Sequence, residues 1–550
     1  MRRTSAAGLA LALLTLALPA IASASPLLTL RHDGSAYARE DPYLPSAASL
    51  GEPAAGVAPS RAPARGSVGA GGGGAGRGDA RHATAGAADV AAAKRTVRDE
   101  LARMLAAGAI DKPTYDARLA TYADARKLVR KLGGARRAAL GAVLGNLDAI
   151  AARGDLTASR LPELFETVAR NRQWWASGPL LSDGQRVSFQ GSQLVWQYYA
   201  GEGLQIQWLG TFGKANALWT SQDHDTQLRQ LLDASLSLAA QRAGGIAFEY
   251  LFDWDGGHPP WVSGLAQGTG IQALSRAAVR LNEPRYFDAA RSALGIFREA
   301  PPSGVRVPTA HGVHYLIYSF APHLRVLNAF TQALNGLHDF ALLANDAEGR
   351  MLFASGETEL RAALPSYDTG AWSMYSLQRE ANLNYHEVAR DFLQSLCTKL
   401  TDDAARRAAP ATAPGVAGTG GAVPVPGAPP PAQSTPASLA DPAIYCDEAK
   451  RFTSYLRQPP VVRLVSERAR AGKPAAIRLS VSKPAYVKLA VLRGKRTVTV
   501  LGGQFSSGHR TLEWRRPRAA AKYEVMLRAT DLAGNVGSAR GSLDVLRARR

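Results

Sequence analysis

The chain has 550 residues, 46% of them hydrophobic and 20% charged, with a formal net charge of +20. That length and apolar content give room for two or three domains with a large core, and they exclude a wholly disordered chain. No second long apolar span follows the N-terminal one, which excludes a polytopic membrane protein.

Residues 1–24 read as a secretory signal. Arg2 and Arg3 form the charged region, Leu9–Leu18 the apolar core, and Ala22-Ser23-Ala24 a small-residue cleavage site. The apolar stretch is short for a full membrane span. The expectation is an exported protein, secreted or envelope-associated, with no transmembrane helix after cleavage. Residues 25–92, rich in Ala, Gly, Ser and Pro, are predicted to be a disordered linker. Residues 93–175 carry apolar positions at helical spacing, as in Val97, Leu101, Met104 and Leu105, and predict an N-terminal helical region. RVSFQGSQLVWQYY followed by GEGLQIQWL alternates around Gly201–Gly203, the pattern of a small β-hairpin region. From Gly213 to Leu400 amphipathic helices are joined by aromatic, Gly- and Pro-rich loops, so residues 176–458 predict a mainly α helical array. A Pro-rich stretch at 404–440 interrupts it as a predicted disordered loop. Cys397 and Cys446 flank that stretch, and an even pair in an exported chain suggests one disulfide. Residues 459–550 show short alternating segments with regular turns, predicting a separate all-β sandwich. From 461 to 550 there are 20 Lys plus Arg against 5 Asp plus Glu, and 20 − 5 = +15. Most of the excess charge therefore sits on this unit, which points to an anionic partner such as acidic polysaccharide or cell-wall glycan. Nothing points to nucleic acid, and the oligomeric state is left open.

The densest aromatic run lies at 305–386. Its pieces are HYLIYSFAPHLRVLNAF (His314–Phe330), LPSYDTGAWSMYSL (Leu364–Leu377) and NYHE (Asn384–Glu387). A buried tyrosine hydroxyl needs a hydrogen-bond partner, so several beside Asn, Arg and His suggest a polar pocket. These pieces follow WVSGLAQGTGIQALSRA (Trp261–Ala277), and their order resembles the C-terminal domain of the D-glucuronyl C5-epimerases. WQYYAGEGLQIQWLGTFGKANALW (Trp196–Trp219) looks like the bacterial branch of that family, and the resemblance covers roughly residues 175–400. It implies an (α/α) toroid-type array. The end of the basic unit, YEVMLRATDLAGN and a final strand, resembles fibronectin-III or immunoglobulin-like surface modules.

Inverting C5 of a uronic acid means removing a proton alpha to a carboxylate and returning one on the other face. Two acid/base groups and a countercharge for the enolate-like intermediate are required. No redox step occurs, so no cofactor or metal is expected. The resemblance places acid/base tyrosines at Tyr318, Tyr375 and Tyr385, with Asn328 as a substrate-binding partner and Arg379 beside it as another, one position off the family's carboxylate-binding arginine. Gln267, Trp261, Arg325 and His386 join them as candidate contacts, and Arg379, Arg325 and His386 are the cations near the tyrosines in sequence. One departure matters: the family's Glu-Glu pair is here Leu316-Ile317. Glu202, Glu249, Glu380 and Glu387 are the carboxylates near these motifs. The blander reading also stands, with tyrosines bonding across helix ends, Gln267 marking a close helix approach and Trp261 packing at a rim. Three functions compete: an exported uronyl C5-epimerase-like enzyme, a polysaccharide lyase on the same fold, and a noncatalytic envelope glycan-binding protein.

Overall fold

The computed structural model of the chain describes residues 25–46, 50, 95–408 and 441–547. The expected signal segment, most of the expected linker and residues 409–440 lie outside the described residues.

Residues 25–41 are not a linker: β1 (Ser25–Leu30) and β2 (Ala36–Asp41) form an antiparallel pair. Asp33 caps their turn by accepting from the backbone N–H of Ser35 at 2.8 Å. β1 then runs parallel to β3 (Arg186–Phe189), so the sheet order is β2-β1-β3-β4-β5, with β4 at Trp196–Tyr199 and β5 at Gly203–Ile206. Leu27 and Leu30 are buried. The leucine-rich run Leu27–Leu30, with Thr29 its one polar residue, is only four residues long. Averaged with the Gly/Ala-rich sequence that follows, it reads as linker, yet it is long enough for a strand once β3 offers an edge.

Four helices precede the rest of that sheet: α1 (Val97–Ala106), α2 (Lys112–Lys131), α3 (Gly134–Arg153) and α4 (Leu161–Ser177). Thr96 and Asp99 form a capping box on α1, and Asp111 caps α2 ahead of Pro113. After the sheet come α5 (Trp208–Ser221) and α6 (Asp225–Leu238). Short hairpins follow, β6 (Ala240–Arg242) with β7 (Gly245–Ala247) and β8 (Glu249–Tyr250) with β9 (Trp261–Val262). The helical array continues with α7 (Gly264–Arg280), α8 (Arg285–Ser292) and α9 (Gly295–Arg298). The pair β10 (Arg306–Pro308) and β11 (Val313–Tyr315) leads to α10 (Leu327–Leu343) and α11 (Ala347–Ala363). A last hairpin, β12 (Met374–Ser376) with β13 (Arg379–Glu380), precedes α12 (Leu383–Ala408) and α13 (Ala443–Tyr455).

The array is built on the α7–α10 pair. A Cβ on Gly268 would meet Ala333 Cα at 2.7 Å, and one on Gly336 would meet the Gly268 carbonyl at 2.0 Å. Only glycine permits this backbone approach. Asp339 of α10 ties in the neighbours: it accepts from Gln272 and Arg276 of α7 at 3.0 and 2.9 Å and pairs with Lys399 of α12. The hydrogen bond from His338, then the charges of Lys399 and Arg276, hold its carboxylate well below the usual range despite burial.

Helix α12 also corrects the boundary of the Pro-rich loop, because residues 404–408 are helical. Asp403, paired with Arg406 and accepting from His338 at 2.8 Å, anchors this last turn to α10. Cys397 and Cys446 form a disulfide with Cα atoms 5.0 Å apart, joining α12 to α13.

The C-terminal residues form two sheets around one core. A three-stranded sheet has the order β14 (Val462–Leu464), β16 (Ala475–Val481), β19 (Gly508–Trp514). A five-stranded sheet has the order β15 (Arg468–Arg470), β21 (Val536–Leu546), β20 (Ala521–Asp531), β17 (Ala485–Arg493), β18 (Arg496–Phe505). Their alternating apolar residues, Ile477, Leu479, Leu489, Val525 and Leu543 among them, share one cluster. The unit is docked on the helical array and does not hang free. Lys483, 2% exposed, donates to the Tyr455 carbonyl at 2.6 Å, contacts that of Gln458 and pairs with Asp531 at 2.7 Å. Among the described residues no helix is long and apolar enough to cross a membrane.

The disulfide closes a loop across a sequence separation of 49 residues. Replacing both cysteines with serine is expected to lower unfolding stability by up to about 4 kcal/mol, from the chain entropy returned to the unfolded state. Hydrogen exchange should show α13 opening ahead of α12, and equal protection of α13 in the variant and the parent chain would refute this.

Candidate functional site

The candidate site forms where β9, the loop after β11 and the hairpin β12–β13 meet. Ser319 fixes the loop: its N–H donates to the Val262 carbonyl at 3.0 Å and its Oγ accepts from Val262 N at 3.2 Å. That bracing sets Tyr318 edge-on to Trp261, with centroids 5.4 Å apart. Trp261 lies flat on Tyr250 at 4.3 Å and donates its indole N–H to the Phe252 carbonyl at 2.8 Å. Trp254 donates to the Tyr318 hydroxyl at 3.3 Å. Tyr199 at the end of β4 packs on Phe252 and Trp254. Together with Gln197, Gln207 and Ser263 these aromatic side chains line a cavity of about 40 Å³. That is room for a few waters or the carboxylate edge of a sugar, with the rest of a ligand outside.

The other two tyrosines adjoin it. Tyr375 and Tyr385 have ring centroids 4.3 Å apart, and the Tyr385 side chain hydrogen-bonds the Tyr375 hydroxyl. Arg379, exposed on β13, lies 4.5 Å over the Tyr375 ring and also reaches its hydroxyl. Both hydroxyls are close enough to Tyr318 to act on its ionisation. Burial raises the pKa of Tyr318 well above its ordinary value, and the neighbouring tyrosines add to the rise. Burial raises Tyr375 too, but there Arg379 and Tyr385 pull the other way. Both phenols stay above their ordinary value, but they are unequal: Tyr375 is the one with a cation beside it.

The structure thus brings together Tyr318, Tyr375, Tyr385, Arg379 and Trp261. It uses other expected residues elsewhere. Gln267 is not free for a substrate: its amide donates to the Ile246 and Ala293 carbonyls at 3.0 and 3.1 Å and accepts from Phe248 N at 3.2 Å. His386 is not a substrate contact either. It accepts from Ser373 Oγ at 2.7 Å, bonds the Phe452 carbonyl at 2.9 Å and stacks on Trp372 at 3.9 Å. Arg325 turns to Glu359 at 3.4 Å, beside His314 and Tyr367. Asn328 is buried in the first turn of α10 with its Nδ2 unpartnered. The common cause is that a helix or strand projects neighbouring side chains in different directions, so adjacency in a motif is not adjacency in a pocket.

The carboxylates are similarly redistributed. Glu249 is clamped by Arg160 at 2.6 Å and Arg242 at 2.7 Å. Glu202 accepts from Asn146 at 2.8 Å. Glu380 accepts from the backbone N–H of Ser507 at 2.9 Å, so the C-terminal unit holds the residue next to Arg379. Ile317 lines the cavity where the family carries an acid. The carboxylate that acts on the cluster is Asp255, whose charge is felt by Tyr375 and countered by Arg379. It sits at φ +47° in the turn Trp254–Gly257, and the aspartate-glycine-rich sequence DWDGG signals only that turn. Tyr199, Tyr250, Gln197 and Gln207 were not singled out by sequence; they lie in WQYYAGEGLQIQWL and FEYLFDWDGGHPPWV, and the aromatic density of those two stretches was the one signal. Among the described residues no group of three or more His, Cys, Asp or Glu is placed to hold a metal ion.

Residues 243–409 match the family model for the C-terminus of D-glucuronyl C5-epimerase. A 136-residue stretch is 34% identical to a D-glucuronyl C5-epimerase of Caenorhabditis elegans, covering 22% of this chain and 22% of that protein. A stretch of 149 residues is 26% identical to an uncharacterised protein of Methanocaldococcus jannaschii, covering 26% of this chain and 48% of the relative. The chain therefore spans under half the length of these curated relatives. Among solved structures, an endo-β-1,4-glucanase from Acetobacter xylinum overlaps 35% of this chain and 66% of its own, at a TM-score of 0.26 and 12% identity. A fibronectin(III)-like module of Clostridium thermocellum CbhA overlaps 16% of this chain and 100% of its own, at 0.13 and 17%. Neither structural likeness is close enough to bear on the fold.

The buried histidine beside the site makes a pH prediction. Burial lowers His386 from 6.5 to about 4, so the folded state favours its neutral form. That contribution is whole above pH 6.5 and is lost as pH falls towards 4, up to about 3 kcal/mol. Denaturant unfolding at pH 7 and pH 4.5 should show the loss, and equal stabilities at the two pH values would refute it.

Proposed function

We propose that this chain inverts C5 of uronic acid residues in an acidic polysaccharide, outside the cytoplasm. The observation that carries the reading is the inequality of the two phenols within the stretch that matches the epimerase family: one with a cation on its ring and hydroxyl, one buried without a cation. The export half of the reading rests on the charged, apolar and small-residue N-terminal sequence and on the single disulfide.

In this reading the Tyr375 phenolate, supported by Arg379 and by the Tyr385 hydroxyl, takes the C5 proton. The C5–H bond breaks and its electron pair moves into the adjoining carboxylate, giving an enolate-like species. Arg379 is the cation at hand to offset the charge. Tyr318, kept protonated by burial, donates its hydroxyl proton to C5 from the other face, and Trp254 Nε1 remains on the oxygen that becomes anionic. The net change is a proton exchanged for a proton, with no redox step. The pair resets by the reverse reaction or by proton exchange through Tyr385. Asp255 stands as the acid closest in effect to the role of the family's missing Glu pair.

A noncatalytic glycan-binding role is the second reading, favoured by Ile317 in the cavity wall in place of a carboxylate. The deciding experiment is incorporation of solvent deuterium at C5 of uronic-acid oligosaccharides. Exchange is expected in the parent chain and should fall at least about a hundredfold in Tyr375→Phe and in Tyr318→Phe, the size of an acid/base contribution. Binding without exchange in the parent chain would favour the second reading, and an unsaturated, ultraviolet-absorbing product would mean a lyase.

The rate should rise with pH as Tyr375 loses its proton. Arg379→Met removes the cation that favours the phenolate, so the rise should move to higher pH. A pH profile identical to that of the parent chain would remove Tyr375 from the role of base.

A further inference from the structure

Outside the candidate site, the solvent face of the five-stranded sheet carries an unbalanced group of side chains. Along β17 the residues alternate, with Val487 and Leu489 buried and Tyr486 and Lys488 exposed on the opposite face. Register places Lys488 between Gly502 of β18 and Arg528 of β20. Lys488 and Arg528 are thus directly opposed like charges, a destabilising arrangement in a sheet, and neither has an ion-pair partner among the described residues. The far end of the same face is balanced: Arg540 faces Glu524 at 3.7 Å, and Lys522 is registered against Asp544.

The aromatic ring beside the cations is held by a gap in the sheet. A Cβ on Gly502 would lie 2.6 Å from the Tyr486 hydroxyl. The phenol therefore leans across the edge strand into space that only glycine leaves, beside Lys488. Tyr486 remains 50% exposed. An exposed ring alone is ordinary; a ring seated over a glycine beside Lys488, with Arg528 on the strand beyond it, is a surface for a flat ligand that is apolar on one face and anionic at its rim. The C–H face of a pyranose meets the negative face of an aromatic ring, and a carboxylate on that sugar meets Lys488 and Arg528.

We propose that this face, centred on Tyr486, Lys488 and Arg528, binds the acidic polysaccharide as a site separate from the tyrosine cluster. The inference rests on the proposed uronyl substrate class. The site sits at the docked end of the unit: Tyr486 follows the buried anchor Lys483, and Gln504, opposite Tyr486, precedes Ser507, which donates to Glu380. It would retain the polymer close to the array and leave short substrates unaffected.

The full chain is titrated with polygalacturonate at low salt, with dextran as neutral control and polyphosphate as a non-sugar polyanion. Polygalacturonate should bind and dextran should not. Tyr486→Ala should weaken polygalacturonate binding about tenfold while leaving polyphosphate unchanged, and Tyr486→Phe should restore it. The double substitution Lys488→Gln and Arg528→Gln should weaken it about as much and flatten the salt dependence. If Tyr486→Ala binds polygalacturonate as tightly as the parent chain, the face is a general polyanion surface and the proposal fails. Binding is read without turnover, so absence of C5 exchange alongside Tyr486-dependent binding defeats the proposed reaction and leaves this site standing.

Discussion

The contact between α7 and α10 is the constraint on which the rest depends. Gly268 and Gly336 let two helix backbones touch where any side chain would force them apart. Each helix begins just after a segment that builds the site: β9 with Trp261 leads into α7, and the loop with Tyr318 leads towards α10. Separating the helices would separate Trp261 from Tyr318 and break the Ser319–Val262 bonds that set the loop. Gln267, one residue from the contact, spends its amide on the backbone at Ile246, Phe248 and Ala293. The fit of the two helices is thereby passed to the strands carrying Tyr250.

Burial makes the tyrosines distinctive, and it also makes them poor bases. Removing a phenolate from water raises its pKa, so a cluster of buried phenols is by default a cluster of proton donors. Arg379 breaks the symmetry by placing a cation on one of them. Its own position is set by a hairpin of two very short strands, which has little stability alone. The Ser507 N–H bonded to Glu380 gives that hairpin an external support, and Lys483, bonded to the Tyr455 carbonyl, holds the same unit to the end of α13. The C-terminal unit is thus a structural neighbour of the candidate site, which its sequence, read as a separate basic module, did not suggest.

Tyr318, Tyr375, Arg379 and Trp261 were legible because their motifs lie on loops and short strands, where order along the chain stays close to order in space; Tyr385 lies in the first turn of α12, directly after such a segment. Gln267, Arg325 and His386 were misread for the opposite reason. They sit on or beside helices, where each step of one residue turns the side chain by about 100°. His386 follows Tyr385 directly yet faces Ser373 and Phe452. The places of Asp255 and Tyr199 were not legible because their partners, Tyr375 and Arg379 for the one and Phe252 and Trp254 for the other, are far away in sequence.

The sequence by itself determined the helical periodicity of the array, the alternation of the C-terminal strands, the pairing of the only two cysteines and the tyrosine motifs at 318, 375 and 385. These are local patterns or matters of composition, and no partner is needed to read them. The tertiary structure alone decided that residues 25–41 form a strand pair, because a leucine-rich run of four residues becomes a strand only when another strand offers its edge. It alone decided which phenol has a cation and which does not, and where each carboxylate is spent. Those outcomes depend on distances between segments tens to hundreds of residues apart, and packing and desolvation fix such distances only once the chain has folded.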